Sequence, residues 1–154
     1  MATLVYTDAS HPDFIALVQE LDAELRVRDG ADNAFYAQFN TISTIRYAIV
    51  AYVDGQPAGC GAIKPFEEGK MEVKRMFTYP AYRGQRVAEQ VLTALEAWAA
   101  ELGAVTCVLE TGTRQPEAIR LYERTGYTRI PNYGQYAEVS NSLCFEKQLN
   151  QPAS

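Results

Sequence analysis

The sequence predicts an α/β (α+β) fold with a mixed, mostly antiparallel central sheet of about six to seven strands, flanked by about four helices. Three observations point to it. Runs rich in β-formers are joined by Asp54-Gly55 and Glu68-Gly69, both strong turn signals. A long amphipathic helix over 84–102 directly follows a strand. A short apolar run at 104–110 and a helix at 116–124 then repeat the strand-to-helix alternation.

The elements follow in order. Residues 3–7 (TLVYT) predict a first strand. Ser10-His-Pro-Asp opens a helix in which Phe14, Leu17, Val18, Leu21 and Leu25 recur at helical spacing to about Arg28. Asp29-Gly30 ends it, and 31–39 reads as a short second helix with Phe35, Tyr36 and Phe39 on one side. Residues 46–53 and 57–64 pair as a hairpin about Asp54-Gly55. Strand 71–78 follows and stops at Tyr79-Pro80, because the residue before proline is steered out of helical geometry. Alternation there places Glu72, Lys74 and Met76 on one face and Val73, Arg75 and Phe77 on the other. In 84–102, Ala88, Val91, Leu92, Leu95, Trp98, Ala99 and Leu102 form one apolar stripe, and Gly103 is the stop. Residues 104–110 (AVTCVLE) read as a buried central strand. Pro116 suits the first turn of helix 116–124, Gly126 ends it, and 141–148 is a late strand before a loose tail. Neither a repeat nor a linker interrupts the 154 residues, so one domain over 1–154 is expected.

Composition narrows the function classes. The net charge of −5 and the lack of a basic run disfavour nucleic acid, whose phosphates need clustered Lys and Arg. Cys60, Cys107 and Cys144 form no CxxC pair, and His11 is the one histidine, so neither a zinc site nor any other metal is expected. The N-terminus lacks a secretory pattern, and no apolar run nears the ~20 residues that span a membrane. A cytoplasmic protein without a membrane partner, monomeric or homodimeric, is the expectation.

Arg83-Gly84-Gln85-Arg86-Val87-Ala88 lies between a strand and a helix. The first N–H groups of a helix have no intrahelical partner, the dipole there is positive, and Gly84 lets the backbone approach a ligand. Such a turn suits a pyrophosphate; a solvated loop with two arginines is the plain alternative. It matches neither the dinucleotide GxGxxG fingerprint nor a P-loop. Downstream stands PEAIRLYERTGY, residues 116–127.

Strand, R-x-x-x-x-A turn, helix, strand, and helix with LYERTGY together resemble the GNAT superfamily of acetyl-CoA-dependent N-acetyltransferases, best over residues 45–130. The family signature is Arg or Gln, two residues, Gly, one residue, then Gly or Ala; Arg83 and Ala88 match, while Arg86 stands at the usual glycine. The resemblance implies the acyl-CoA N-acyltransferase fold, with two central strands splayed around the acetyl thioester, and acetyl-CoA as co-substrate without a metal. It implies that the backbone of Met76, Phe77 and Thr78 pairs with the pantetheine arm, and that N–H groups from Arg83 to Ala88 hold the pyrophosphate. Gln115 stands near the place of an Asn that contacts the cofactor in many members.

Amine acetylation needs a group that takes a proton from an alkylammonium and one that gives a proton to the leaving thiolate. Tyr122 occupies the position of the family's general acid; core packing beside Ala118 and Ile119 is its plain alternative. Glu110 ends the buried strand, at a spacing to Tyr122 that resembles the ribosomal-protein N-terminal acetyltransferases, where the matching glutamate is the base. Glu72, on the neighbouring strand, is the other candidate. The family places the acceptor between the N-terminal helices and the late hairpin, which makes Tyr36, Phe39, Arg114, Tyr133 and Tyr136 candidate substrate residues. The expected activity is transfer of acetyl from acetyl-CoA to a primary amine of a small molecule or amino acid, by direct attack in a ternary complex. A protein N-terminal or lysine acetyltransferase, and a non-catalytic CoA-binding sensor, are the alternatives.

Overall fold

The computed structural model describes residues 2–29, 45–113, 115–137 and 139–149. They form one seven-stranded sheet in the order β1-β2-β3-β4-β5-β7-β6. The strands are β1 (Thr3–Thr7), β2 (Tyr47–Val53), β3 (Gln56–Glu67), β4 (Lys70–Thr78), β5 (Thr106–Gly112), β6 (Thr128–Ile130) and β7 (Ser142–Gln148). Three α-helices occur among the described residues: α1 (Pro12–Asp29), α2 (Val87–Glu101) and α3 (Pro116–Arg124). Only β4 and β5 run parallel, so the expected mixed, mostly antiparallel sheet is the one observed. The expected helix at 31–39, with Tyr36 and Phe39, lies outside the described residues, as does Arg114.

Period-two burial sorts the strands' side chains into two layers. Ile49 and Ala51 of β2, Met71 and Val73 of β4, and Cys107 and Leu109 of β5 join Val87, Val91, Leu92 and Leu95 of α2 in one core. Ala48 and Val50, alternating with the first set, join Phe14, Leu17, Val18 and Leu21 of α1 on the other side. The apolar spacing in α1 therefore marks its buried face. Its start is set by Pro12 at the first helical position and by His11, whose Nδ1 accepts the Asp13 N–H at 3.1 Å.

α2 lies close against β3 because Gly61 has no side chain. A Cβ there would meet Met76 Sδ at 2.5 Å, Leu95 Cδ1 at 2.8 Å and Val91 Cγ1 at 2.9 Å. Gly61→Ala should therefore cost about 1–3 kcal/mol, read as a lowered midpoint in urea unfolding. An unchanged midpoint would mean that this contact is not tight.

Four details depart from the sequence expectations. α2 starts at Val87 rather than 84, since Gly84 and Arg86 both have positive φ, 84° and 61°. β5 spans Thr106–Gly112 rather than 104–110. β6, three residues long, is too short to show a period and is defined by its pairing with β7. Finally, β4 does not alternate to its end. Cys60 faces Phe77 and Ala62 faces Lys74, so β4 holds one extra residue opposite Gly61. This bulge shifts the pattern by one. Met76 packs with Val73 in the α2 layer, while Arg75 reaches Asp22 of α1.

The parallel pair positions the site. β4 and β5 are paired from Lys70–Thr106 to Val73–Leu109 and no further, although β4 continues to Thr78 and β5 to Gly112. The two central strands thus part, as the resemblance implied. Beyond the parting, β5 stays paired with β7 as far as Gly112–Ser142.

Candidate active site

The chain leaves β4 through a 3-10 turn at Pro80–Tyr82 and enters α2 through two left-handed residues, Gly84 and Arg86. Arg86, the cap residue at φ 61°, ψ 24°, takes the conformation that glycine adopts freely. The arginine at the family's glycine position therefore holds a left-handed conformation open to glycine, at a cost in strain. The next backbone bond in the turn is Gln90 N–H to the Arg86 carbonyl, 3.1 Å. The N–H groups before it stand at the positive end of the helix dipole, an arrangement suited to an anion. Replacing Arg86 by Gly should stabilise the fold by about 1 kcal/mol and change acetyl-CoA affinity less than about tenfold, because the N–H groups stay in place. Calorimetry and thermal unfolding of the variant check this; loss of binding would mean that the guanidinium, not the backbone, holds the ligand.

The Arg83 side chain is engaged within the protein. Its Nε donates to the Thr78 carbonyl at 3.0 Å, and its Nη2 donates to Glu24 Oε2 of α1 at 2.9 Å. Arg83 thus ties the end of β4 to α1.

A cleft of about 680 Å³ runs along the parted strands. From the turn it is lined by Arg83, Gly84, Arg86, Val87 and Ala88, and from β4 by Met76, Phe77 and Thr78. Glu72, Glu110, Gln115, Tyr122 and Tyr136 also line it. One cavity therefore gathers most of the residues singled out from sequence. Gln85 is exposed and off its wall, and Tyr133 lies behind Glu72. Gln115 takes the N-cap position of α3, and its side chain makes no capping bond.

Tyr122 is buried, 5% exposed, with its ring edge-on to Tyr127 at 5.8 Å and tilted against Phe145 at 6.2 Å. Burial, and then the nearby Glu110 carboxylate, push its phenol above the usual tyrosine range. The hydroxyl therefore keeps its proton through and above neutral pH. Glu110 sits on β5 just past the last β4 pair, half-buried. Glu72 is more enclosed. Its side chain, 8% exposed, accepts the Tyr133 hydroxyl at 2.7 Å and lies 3.7 Å from Lys74 Nζ. Burial, and then Glu72, push the Tyr133 phenol up. Phe66 stacks edge-on against Tyr133 at 4.7 Å.

Lys74 and Arg75 also line the cleft. In the sequence they were only charges on a strand. The signal was there, two consecutive cations in an otherwise buried strand, but its meaning depends on the bulge. Leu21 and Leu25 of α1, which also line the cleft, appeared in the sequence only as helix core.

The cleft fits acetyl-CoA in kind. A row of N–H groups at a helix start meets a pyrophosphate, and the β4 edge that β5 leaves unpaired after Val73 can pair with an amide-bearing arm.

Comparison with known proteins agrees. Residues 14–127 match the model of the acetyltransferase (GNAT) family. The IAA acetyltransferase of Azospirillum brasilense is 35% identical over 138 residues, covering 88% of this chain and 90% of that protein. A Klebsiella pneumoniae crystal structure named "putative acyl-CoA N-acyltransferase" is 34% identical, with TM-score 0.82 over 97% of this chain and 99% of the other. The yncA protein of Salmonella typhimurium, solved with its cofactor acetyl-CoA, shares the fold at 16% identity, with TM-score 0.68 over 100% of this chain and 97% of that one. The chain belongs to the acetyltransferase (GNAT) family and is an acetyl-CoA-dependent N-acetyltransferase.

Proposed function

We propose that the chain acetylates a primary amine of a small molecule or amino acid by direct attack in a ternary complex. The observation that carries this is the single cleft uniting the left-handed turn, the parted strands, Glu110 and Tyr122. Acetyl-CoA supplies an activated acyl carbon and a thiolate leaving group. N–H groups from Arg83 to Ala88 hold its pyrophosphate, the β4 backbone at Met76, Phe77 and Thr78 aligns its arm, and Gln115, which also lines the cleft, contacts it. Glu110 takes the proton that the alkylammonium loses to free its nitrogen for attack, and the second proton leaves the nitrogen to solvent once the N–C bond has formed. Tyr122, protonated, gives its hydrogen to the sulfur as the C–S bond breaks, and is reprotonated from solvent. Glu72 is held by Tyr133 and Lys74 and shapes the acceptor side, with Tyr136 on the same wall.

A small acceptor is supported by the name of the Azospirillum relative. The test is thiol release with acetyl-CoA over small amines, compared with peptides bearing a free N-terminus or a lysine. Small amines should turn over and peptides should not. Turnover of peptides alone would replace this function by a protein acetyltransferase. Acetyl-CoA at 100 times its Kd should also stabilise the fold by about 2.7 kcal/mol.

A further inference from the structure

The bulge in β4 has a consequence for the acceptor. In a regular strand Arg75 would point with Val73 into the α2 layer. Instead it stands at φ 60°, which strains an L residue, and its guanidinium faces α1. Nη2 donates to both Asp22 carboxylate oxygens, at 3.0 and 3.2 Å. Lys74 lies on this side as well, paired with Glu72. Two consecutive cations therefore face the same part of the cleft. The Lys74 side chain is 11% exposed and that of Arg75 3%, whereas Asp22 is 40% exposed. Arg75 Nε is buried and has no hydrogen-bond partner among the described residues. A guanidinium withdrawn from water with a donor unfilled is unfavourable until an anion completes it. Carboxylates stand in the same cleft, Glu72 beside the cations and Glu110 at the parting of the strands. Cations and carboxylates in one cavity complement a molecule that bears both an ammonium and an anion.

We propose that the acceptor is an amine that also carries a carboxylate, and that Arg75, with Lys74 beside it, binds that carboxylate. This rests on acetyl transfer to a small amine and narrows its substrate class. The planar guanidinium suits a two-oxygen anion better than an ammonium does, so Arg75 carries most of the discrimination. A neutral analogue leaves the buried Arg75 Nε donor unfilled and is rejected for that reason.

The test uses the full chain with saturating acetyl-CoA and matched acceptors, amino acids against their primary amides. The amide's amine is the less protonated of the two at neutral pH, so the comparison works against the expected result. In the wild type, kcat/KM should be about 10- to 100-fold higher for the amino acid. In Arg75→Met the ratio should fall to near one, and Lys74→Met should lose less of it. Equal rates or an amide preference in the wild type overturns the proposal, and this comparison needs no variant to fold. An unchanged ratio in a folded Arg75→Met overturns it too. Thiol release with amides alone removes only the carboxylate proposal; no release with any amine removes the parent function along with it.

Discussion

Tyr122→Phe is expected to lower kcat by about 10²- to 10⁴-fold while acetyl-CoA binds within a few-fold of the wild type. The phenylalanine ring keeps the packing against Tyr127 and Phe145. The hydroxyl makes no hydrogen bond to another described residue, so removing it leaves no donor or acceptor stranded. Stability should therefore change little while turnover collapses, which separates proton donation from packing. The phenol's raised pKa fixes the sign of the pH effect. Its proton is held at low and neutral pH and lost only as pH rises beyond the ordinary tyrosine range, so no alkaline fall from Tyr122 should appear below about pH 10. A folded Tyr122→Phe enzyme with wild-type kcat would leave Tyr122 a core residue only.

Glu110→Gln should also cost about 10²- to 10⁴-fold in kcat, and should flatten the rise of kcat/KM with pH. Glu110 is favoured over Glu72 on geometry. Glu110 lies past the last β4–β5 pair and is close enough to Tyr122 to raise its pKa, whereas Glu72 lies within the paired stretch, opposite Val108. Glu72→Gln has a different expected signature. It takes a buried carboxylate away from Lys74 and from the Tyr133 hydroxyl and should lower stability by about 1–3 kcal/mol, with a smaller loss of kcat. If Glu72→Gln folds normally and loses the pH-dependent rise while Glu110→Gln keeps it, the base is Glu72.

The donor half of the site was legible because it is local in sequence. Strand, turn, helix, strand and helix follow one another from Glu72 to Tyr127, so Arg83, Gly84, Arg86, Glu110 and Tyr122 reach one cleft through short connections. Arg86 shows both the reach and the limit of motif reading: its departure from glycine was visible, but its left-handed backbone was not. The proposed acceptor half depends on contacts between distant segments. Tyr133 meets Glu72 across 61 residues of chain, and Arg75 meets Asp22 across 53. Nothing in MEVKRMFT announces the extra residue opposite Gly61, so strict alternation assigned Arg75, Met76 and Phe77 to the wrong sides. β6 escaped for a related reason, since its three residues become a strand only through β7.

The most direct measurement of the central claim is the initial rate of CoA thiol release with acetyl-CoA, with and without each member of a small-amine panel that includes amino acids. A rate that requires both substrates, saturates with the amine and matches the acetylated amine found by mass spectrometry is the predicted result. A thiol release that no amine raises above the acetyl-CoA background would contradict it.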